Sequence, residues 1–453
     1  MKYDGNDLLN MGIRPGPFMT EAIVIANSMK DKKDMPYQEI KKALLKRQEP
    51  LIERRKTPVT YTDFLKTNND LEKENKEGVE KAMNEVMYSP VVIGGAIMPD
   101  ACPAGAAPVG SVIAVEGALV PSYHSADVCC SVALTECHSG DDLEIINLIE
   151  DMSHWGATPQ EPDKKVIELE PEFFEGWEDN KFLQGLQPMA QRAFGTMGDG
   201  NHFISVGTRR SNKKTCIVSH YGSRGFGAEV YKRGINAAFK ETKKIAPGFS
   251  KEHAWLYSDS NIGIQYWDAL CVVREWVKRN HFDFHKVILD KISAEITDQF
   301  WNPHNFVFKK DNIFIHAKGA TPNYKGHSHD DSGLTLVPLN MEQPILILGH
   351  EDNKDAYGFA PHGAGRNQSR TRWMKDNPEP RIPSVDYRFW SGRPDPSELP
   401  DAYKNSGKIV EEINDNNLGR IEDYVDPYGC VMAGDTEYNA PWRVKKREKD
   451  GKA

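Results

Sequence analysis

Apolar positions along the chain change their spacing several times, and each change marks a different kind of element. In the first 57 residues the spacing is helical. Asp7-Leu8-Leu9-Asn10-Met11 closes at Gly12, and a second helix is predicted after the Pro15-Gly16-Pro17 turn. Ile40, Leu44, Leu45 and Leu51 fall on or near one face of a stretch whose other face carries the basic residues between Lys41 and Lys56, with Pro50 expected to interrupt it. A charged helix is predicted from about Asn69 to Glu85. From Val91 to about Leu134 the pattern becomes β-like, with short apolar runs such as Val91-Val92-Ile93 and Ser111-Val112-Ile113-Ala114-Val115 punctuated by Gly and Pro. The acidic stretch from Asp142 to Leu186 mixes helix with loop. Strands resume from Thr215 to Val218, helices are expected through much of Gly227 to Gln299, and strands return from Phe306 to His316 and from Ile345 to Leu348. Helices and strands alternate only loosely and no repeat is evident, so the expected class is α+β: mixed β-sheets with surrounding helices. The expected organisation is a helical N-terminal extension over residues 1–57, a main body over 58–435 and a basic tail over 436–453.

Composition narrows the function classes. With 39% hydrophobic and 9% aromatic residues, a chain of 453 residues can bury a sizeable core in one large or two medium domains. Lys+Arg number 57 against Asp+Glu 66, a net charge of −9 at pH 7, so any nucleic-acid contact must be local rather than driven by a global positive field. The seven cysteines have no regular spacing, and no basic-then-apolar leader opens the chain, which suits a reduced, cytoplasmic setting. The apolar runs are strand-sized, far short of the roughly 18 residues that span a bilayer, so no membrane association is expected.

Five segments place a metal-competent or nucleophilic side chain among glycine, polar or turn residues. They are Asp127-Val128-Cys129-Cys130, Gly198-Asp199-Gly200-Asn201-His202-Phe203, His220-Tyr221-Gly222-Ser223-Arg224-Gly225, Asn302-Pro303-His304-Asn305 and His362-Gly363-Ala364-Gly365-Arg366. Singly, each reads equally as a hydrogen-bonded structural histidine, a small core cysteine or an ordinary glycine-rich loop. Together they offer a carboxylate, one or two thiolates and several imidazoles, a mixed set that suits a borderline divalent transition metal better than Mg²⁺ or Ca²⁺. Their scatter along the chain means that the fold must assemble the site, as in an enzyme. His362 is followed by amides and a guanidinium, the groups that stabilise a phosphate on an imidazole.

In this order the segments resemble the RtcB family of RNA-splicing ligases, from about residue 85 to about residue 434. Asp127 and Cys130 fit the family's D-x-x-C motif, Asn201-His202-Phe203 its G-N-H-F, and His220 with Gly222-Ser223-Arg224-Gly225 its H-x-G-S-R-G. His304-Asn305, Lys318-Gly319-Ala320-Thr321, His362 to Arg366 and Met98-Pro99-Asp100 fit further family motifs. The resemblance implies an RtcB-like fold for the main body and two Mn²⁺ per chain, one held by Asp127, Cys130 and His202, the other by Cys130, His220 and His304. It implies that His362 attacks GTP to form a histidine-GMP intermediate, and that the enzyme joins RNA 3′-phosphate or 2′,3′-cyclic phosphate ends to 5′-hydroxyl ends. Asn201, Gly363, Ala364, Gly365, Arg366 and Tyr403 would then bind the nucleoside triphosphate, and Asp100, Arg224 and Lys318 phosphate or RNA.

The chain departs from the family at several points. Ala101-Cys102 replaces the usual Val-His after M-P-D, Ser205 replaces a guanine-recognising Glu, Pro338-Leu339-Asn340-Met341-Glu342 replaces P-G-S-M-G, and Met432 replaces a Lys. A serine cannot accept from both guanine donors as a carboxylate does, so a relaxed or non-GTP nucleotide choice is expected, unless Glu342 or stacking on Tyr403 compensates. Two alternatives to RNA ligation stay open: nucleotide-dependent capping of 3′ ends, and an inactive nucleic-acid-binding homologue.

Overall fold

The computed structural model describes residues 2–14, 18–48, 50–138, 141–156, 160–377, 381–436 and 438. The Pro15-Gly16-Pro17 turn and most of the basic tail lie outside the described residues.

Three helices open the chain: Gly5–Asn10, Phe18–Lys33 and Tyr37–Arg47. Asp4 caps the first in a reciprocal box with Asp7, satisfying two otherwise orphaned amides. Leu8, Met11, Ile13, Ala22, Ala26, Ile40 and Leu44 close into a small core of their own, separate from the main one. The basic helix stops at Arg47, ahead of Pro50. Leu45 and Leu51 are both 41% exposed, so the buried stripe is narrower than the pattern implied. The charged helix runs Asp70–Met87, its first turn capped by Asn69.

Two sheets form the body. The five-stranded one has the order Tyr61–Asp63, Val92–Cys102, Val109–Glu116, Ile313–Lys318, Asn305–Lys310. The larger runs Ile296–Pro303, Ser131–Cys137, Thr215–Tyr221, Phe203–Arg209, Arg420–Met432, Ile345–Gly349, Leu334–Val337, and Asp386–Phe389 adds in parallel to Arg420–Met432. Both sheets mix parallel and antiparallel pairs, as the α+β assignment expects. Helix does not continue to Gln299 as the sequence pattern suggested. The long helix Asn261–Lys291 ends, and Ile296–Pro303 pairs antiparallel with Ser131–Cys137, burying its second half. Only His304 separates this strand from Asn305–Lys310 of the other sheet, so one histidine sits at the seam between the sheets.

Candidate active site

Register places the metal-competent residues side by side. Ser131 faces Pro303 on one side and Tyr221 on the other, while Phe203 faces His220, so four neighbouring strand ends carry His304, Cys130, His220 and His202. Asp127 enters from the loop before Cys130, and Cys129 between them takes the left-handed φ of 59°, a strained conformation that the fold overrides to aim its neighbour. Gly222 is required here, because a Cβ at that position would strike the Asp127 carboxylate.

The ligand atoms form two triads sharing Cys130: Asp127, Cys130 and His202, and Cys130, His220 and His304. Cys130 Sγ lies 3.5 Å from His202 Nε2 and 3.3 Å from His220 Nε2; His202 Nε2 lies 3.2 Å from Asp127 Oδ2, and His220 Nε2 lies 3.2 Å from His304 Nε2. Two tautomers follow from the surroundings. His202 Nδ1 sits 2.9 Å from the Met197 carbonyl and His220 Nδ1 3.1 Å from that of Asn201; a carbonyl can only accept, so the protons are on Nδ1 and the Nε2 lone pairs point into the cluster.

The electrostatics fit a pair of divalent cations. Burial holds His220 neutral, with its pKa down at about 3, and keeps His304 well below the ordinary imidazole range. Burial would raise the Asp127 carboxyl, but the neighbouring His202, Cys130 and Arg224 groups outweigh it and hold it low. Burial, reinforced by Asp127, pushes the Cys130 thiol well up, so a thiolate here needs cations beside it. His304 Nδ1 is buried without a partner. A mixed O, N, S donor set with converging lone pairs suits two ions of the Mn²⁺ or Zn²⁺ kind.

Behind the cluster, the helix Asn261–Lys291 presents two histidines that sequence reasoning missed. His281 bridges Ser131 and Ser219 at 3.0 and 2.6 Å, and His285 bridges Thr135 and Ser219 at 2.8 and 2.7 Å. They lock together the strands that carry Cys130 and His220. Their only sequence signal was a polar pair at i, i+4 on an otherwise buried helix face.

His362 follows the strand Phe359–Pro361 and lies next to the cluster, its ring centroid 5.0 Å from that of His304. Asp100, fully buried on the strand Val92–Cys102, accepts from His362 Nδ1 at 2.6 Å and from the amides of His362 and Gly363 at 3.1 and 3.2 Å. Asp100 thus touches the histidine from behind instead of facing the cavity. Gly365, with φ 71°, lets the turn pass over Asp100, whose carbonyl a Cβ would hit.

A cavity of about 610 Å³ opens in front of these groups. Asn201, Gly363, Ala364, Gly365, Arg366 and Tyr403 all line it, as do Cys102, Ser205, Asn340 and Met432. Glu398, which no local pattern flagged, is buried at its edge. It pairs with Arg366 and with Arg370, and accepts from the Tyr403 hydroxyl at 2.6 Å, while the Arg366 guanidinium lies 4.8 Å from the Tyr403 ring centroid. Ser205 donates to the Gly429 carbonyl at 3.0 Å, and Asn340 accepts from the amides of Glu342 and Gln343. Glu342 does not reach the cavity: Arg381 and the Ser384 amide hold its carboxylate at 2.9 and 2.5 Å. Lys318 also stands outside the lining, its ammonium donating to the Ala104 and Ala107 carbonyls at 2.6 Å, with burial bringing its pKa down to about 8. Arg224 donates to the Gly156 carbonyl at 3.3 Å, and its charge helps keep Asp127 ionised.

A cavity flanked by two candidate ligand triads and a carboxylate-oriented histidine has the groups that metal-assisted phosphoryl chemistry would use. Residues 147–433 match the family model described as tRNA-splicing ligase RtcB. The chain belongs to the RtcB family. It is 25% identical to the RNA-splicing ligase RtcB of Escherichia coli over 316 residues, covering 62% of this chain and 75% of that protein. It is also 24% identical to the tRNA-splicing ligase RtcB of Archaeoglobus fulgidus over 442 residues, covering 79% of this chain and 91% of that protein. With the Thermococcus kodakarensis tRNA-splicing ligase RtcB the identity is 22% over 436 residues, covering 78% and 90%. Among the described residues no helix is long and apolar enough to cross a membrane.

Proposed function

We propose that this protein is an RNA ligase that joins 3′-phosphate or 2′,3′-cyclic phosphate ends to 5′-hydroxyl ends through a nucleotidyl-His362 intermediate, with two Mn²⁺ at the Cys130 cluster. One observation carries the reading: His362, its Nδ1 proton held by Asp100 at 2.6 Å, stands 5.0 Å from the ring of a residue in the second ligand triad. With Nδ1 protonated, the nucleophile is Nε2. Its lone pair forms a bond to the α-phosphorus of the nucleoside triphosphate as the bond to the pyrophosphate oxygen breaks, and pyrophosphate leaves. An oxygen of the RNA 3′-phosphate then takes the phosphorus from Nε2. The 5′-hydroxyl attacks the 3′-phosphorus and expels the nucleoside monophosphate. A 2′,3′-cyclic end is first opened by water. Asp127, Cys130, His202, His220 and His304 would hold the ions, whose contribution when bound is to neutralise phosphate oxygens. Arg366, fixed by Glu398, adds a guanidinium on the same cavity wall.

Nucleotide choice is the part of the reading in which this chain is its own case. The cavity lining includes, with Ser205, the apolar Phe203, Leu339, Met341, Ile345, Cys430 and Met432, and Ser205 already donates to Gly429. Glu398, a carboxylate of the same cavity lining, is occupied by two arginines and a tyrosine. A base is held there by contact and stacking more than by paired hydrogen bonds, which favours relaxed selection between GTP and ATP.

The test is incubation with α-labelled GTP or ATP and Mn²⁺, followed by RNA bearing 3′-phosphate and 5′-hydroxyl ends. Acid-labile label is expected on the wild type and on His138→Ala but not on His362→Ala, and is expected to be followed by joined RNA. Label persisting on His362→Ala would overturn the nucleophile, and label passing to RNA ends that are never joined would leave a capping enzyme.

A further inference from the structure

A second convergence of metal-ligating groups lies apart from the cavity. His327 and Asp331 belong to the loop 323–333, between the strands Ala320–Pro322 and Leu334–Val337, and His350 directly follows the strand Ile345–Gly349, which pairs with the second of these. One ligand atom from each residue lies within 4.8 Å of the other two, and none of the three lines the cavity. Asp331 Oδ1 is 3.3 Å from His327 Nε2 and 3.6 Å from His350 Nε2. Neither approach is a hydrogen bond. Both Nε2 atoms, and Nδ1 of His327, are buried with no hydrogen-bond partner, and the His327 side chain is only 2% exposed.

Imidazoles kept for ion pairing would align an N–H with the oxygen beside them. These rings instead bring nitrogens close to a carboxylate without that alignment, as lone pairs aimed at a shared point between the groups would do. Two of the spacings fit: donor atoms around a tetrahedral ion with bonds of ~2.0–2.1 Å stand about 3.3–3.4 Å apart, close to the 3.3 and 3.6 Å that separate Asp331 from the two imidazoles. The carboxylate is pre-set, with the Gly326 amide donating to Oδ2 at 2.7 Å and the Gly333 amide to Oδ1 at 2.9 Å. Asp330 is not a competing ligand, because Arg274, Lys278 and the Trp301 indole already hold it. Aromatic rings close over the group, Phe308 and Tyr324 lying 6.0 and 5.8 Å from His327.

We infer that His327, Asp331 and His350 bind one Zn²⁺ ion, which fastens the 323–333 loop to the end of the paired strands. Two imidazoles and one carboxylate suit Zn²⁺ with water in the remaining position. Tyr324 packs on Phe359 at 5.8 Å, and the strand of Phe359 leads straight into His362, so the fastening also steadies the nucleophile's approach.

The experiment strips the full-length protein with chelator, reloads it with Zn²⁺ alone and counts metal per chain. Asp331→Asn, which keeps the shape of the side chain, and His350→Gln are each expected to hold one equivalent fewer than the wild type and to lose zinc-dependent protection of 323–333 from hydrogen exchange. Cys130→Ala is expected to keep this equivalent and this protection while losing the metal of the catalytic cluster. Equal zinc and equal protection in the wild type, Asp331→Asn and His350→Gln would overturn the site, as would a Cys130→Ala protein with no zinc left. Undiminished metal in Cys130→Ala, with one equivalent lost from Asp331→Asn, would overturn the catalytic cluster alone.

Discussion

The two ends of the cavity are built on opposite principles. At the end with the two ligand triads several groups are fixed from behind: His202 and His220 by carbonyls, Cys130 by the strained turn at Cys129, and the neighbouring His362 by a fully buried carboxylate. At the base end the polar groups face each other instead of the cavity. Glu398 is shared by Arg366, Arg370 and Tyr403, Ser205 is turned to Gly429, and Asn340 closes its own loop. Transition-state chemistry tolerates little displacement of the reacting groups, whereas base selection rests on a few hydrogen bonds that exchange one by one. In a chain 22–25% identical to these relatives, the two ends are held by these different means.

The sharpest way to break this contrast is Cys130→Ala. Removing the donor shared by both triads is expected to empty the cluster and cut nucleotidyl transfer by about four orders of magnitude or more, with metal analysis as the check. Full metal content would mean that this cluster does not hold the ions. Asp100→Asn comes next. It keeps the shape but removes the acceptor that sets the His362 tautomer, so labelling is expected to slow about a thousandfold with metal content unchanged. A rate within tenfold of wild type would reduce Asp100 to packing.

Ser205→Glu probes the other end. Restoring a carboxylate acceptor is expected to raise the GTP-over-ATP labelling ratio by about tenfold to a hundredfold, or roughly 1–3 kcal/mol. A wild type that already prefers GTP by more than about a hundredfold, unchanged by the substitution, would place guanine recognition elsewhere. Smallest is Tyr403→Phe. It removes one donor to Glu398 and keeps the ring, so the KM for nucleotide is expected to change by no more than about fivefold, roughly 1 kcal/mol. A larger loss, with melting temperature unchanged, would show the hydroxyl touching nucleotide.

The same division explains what the sequence disclosed. Metal donors lie in short polar or turn segments, those of His202 and His220 carrying glycines that admit close contacts, as Gly222 does for Asp127, so they stand out before any fold is known. Glu398 sits in the unremarkable run Pro396-Ser397-Glu398-Leu399, and its burial is decided by Arg366 and Arg370 arriving from elsewhere. Asp100 was visible as part of a motif, but its place behind His362 depends on how the strand Val92–Cys102 meets the turn at Gly365. Ile296–Pro303 hid its strand character because only its second half is buried, and Arg420–Met432 hid its own because Pro427 and Gly429 flank a register shift. Tertiary pairing overrode local pattern in both.

His304, alone between strands of different sheets, makes the candidate metal cluster a joint between them as well. Its ligand set is complete only when the two sheets have docked, and the contacts that dock them are distant in sequence, so any metal it takes would be captured at the last stage of folding. Ions that bind the docked state alone act as a latch on it, adding about 4 kcal/mol at a thousandfold excess over their dissociation constant. With the ions held as proposed, metal starvation would loosen the seam itself, and a half-assembled chain would expose sheet faces to aggregation and proteolysis.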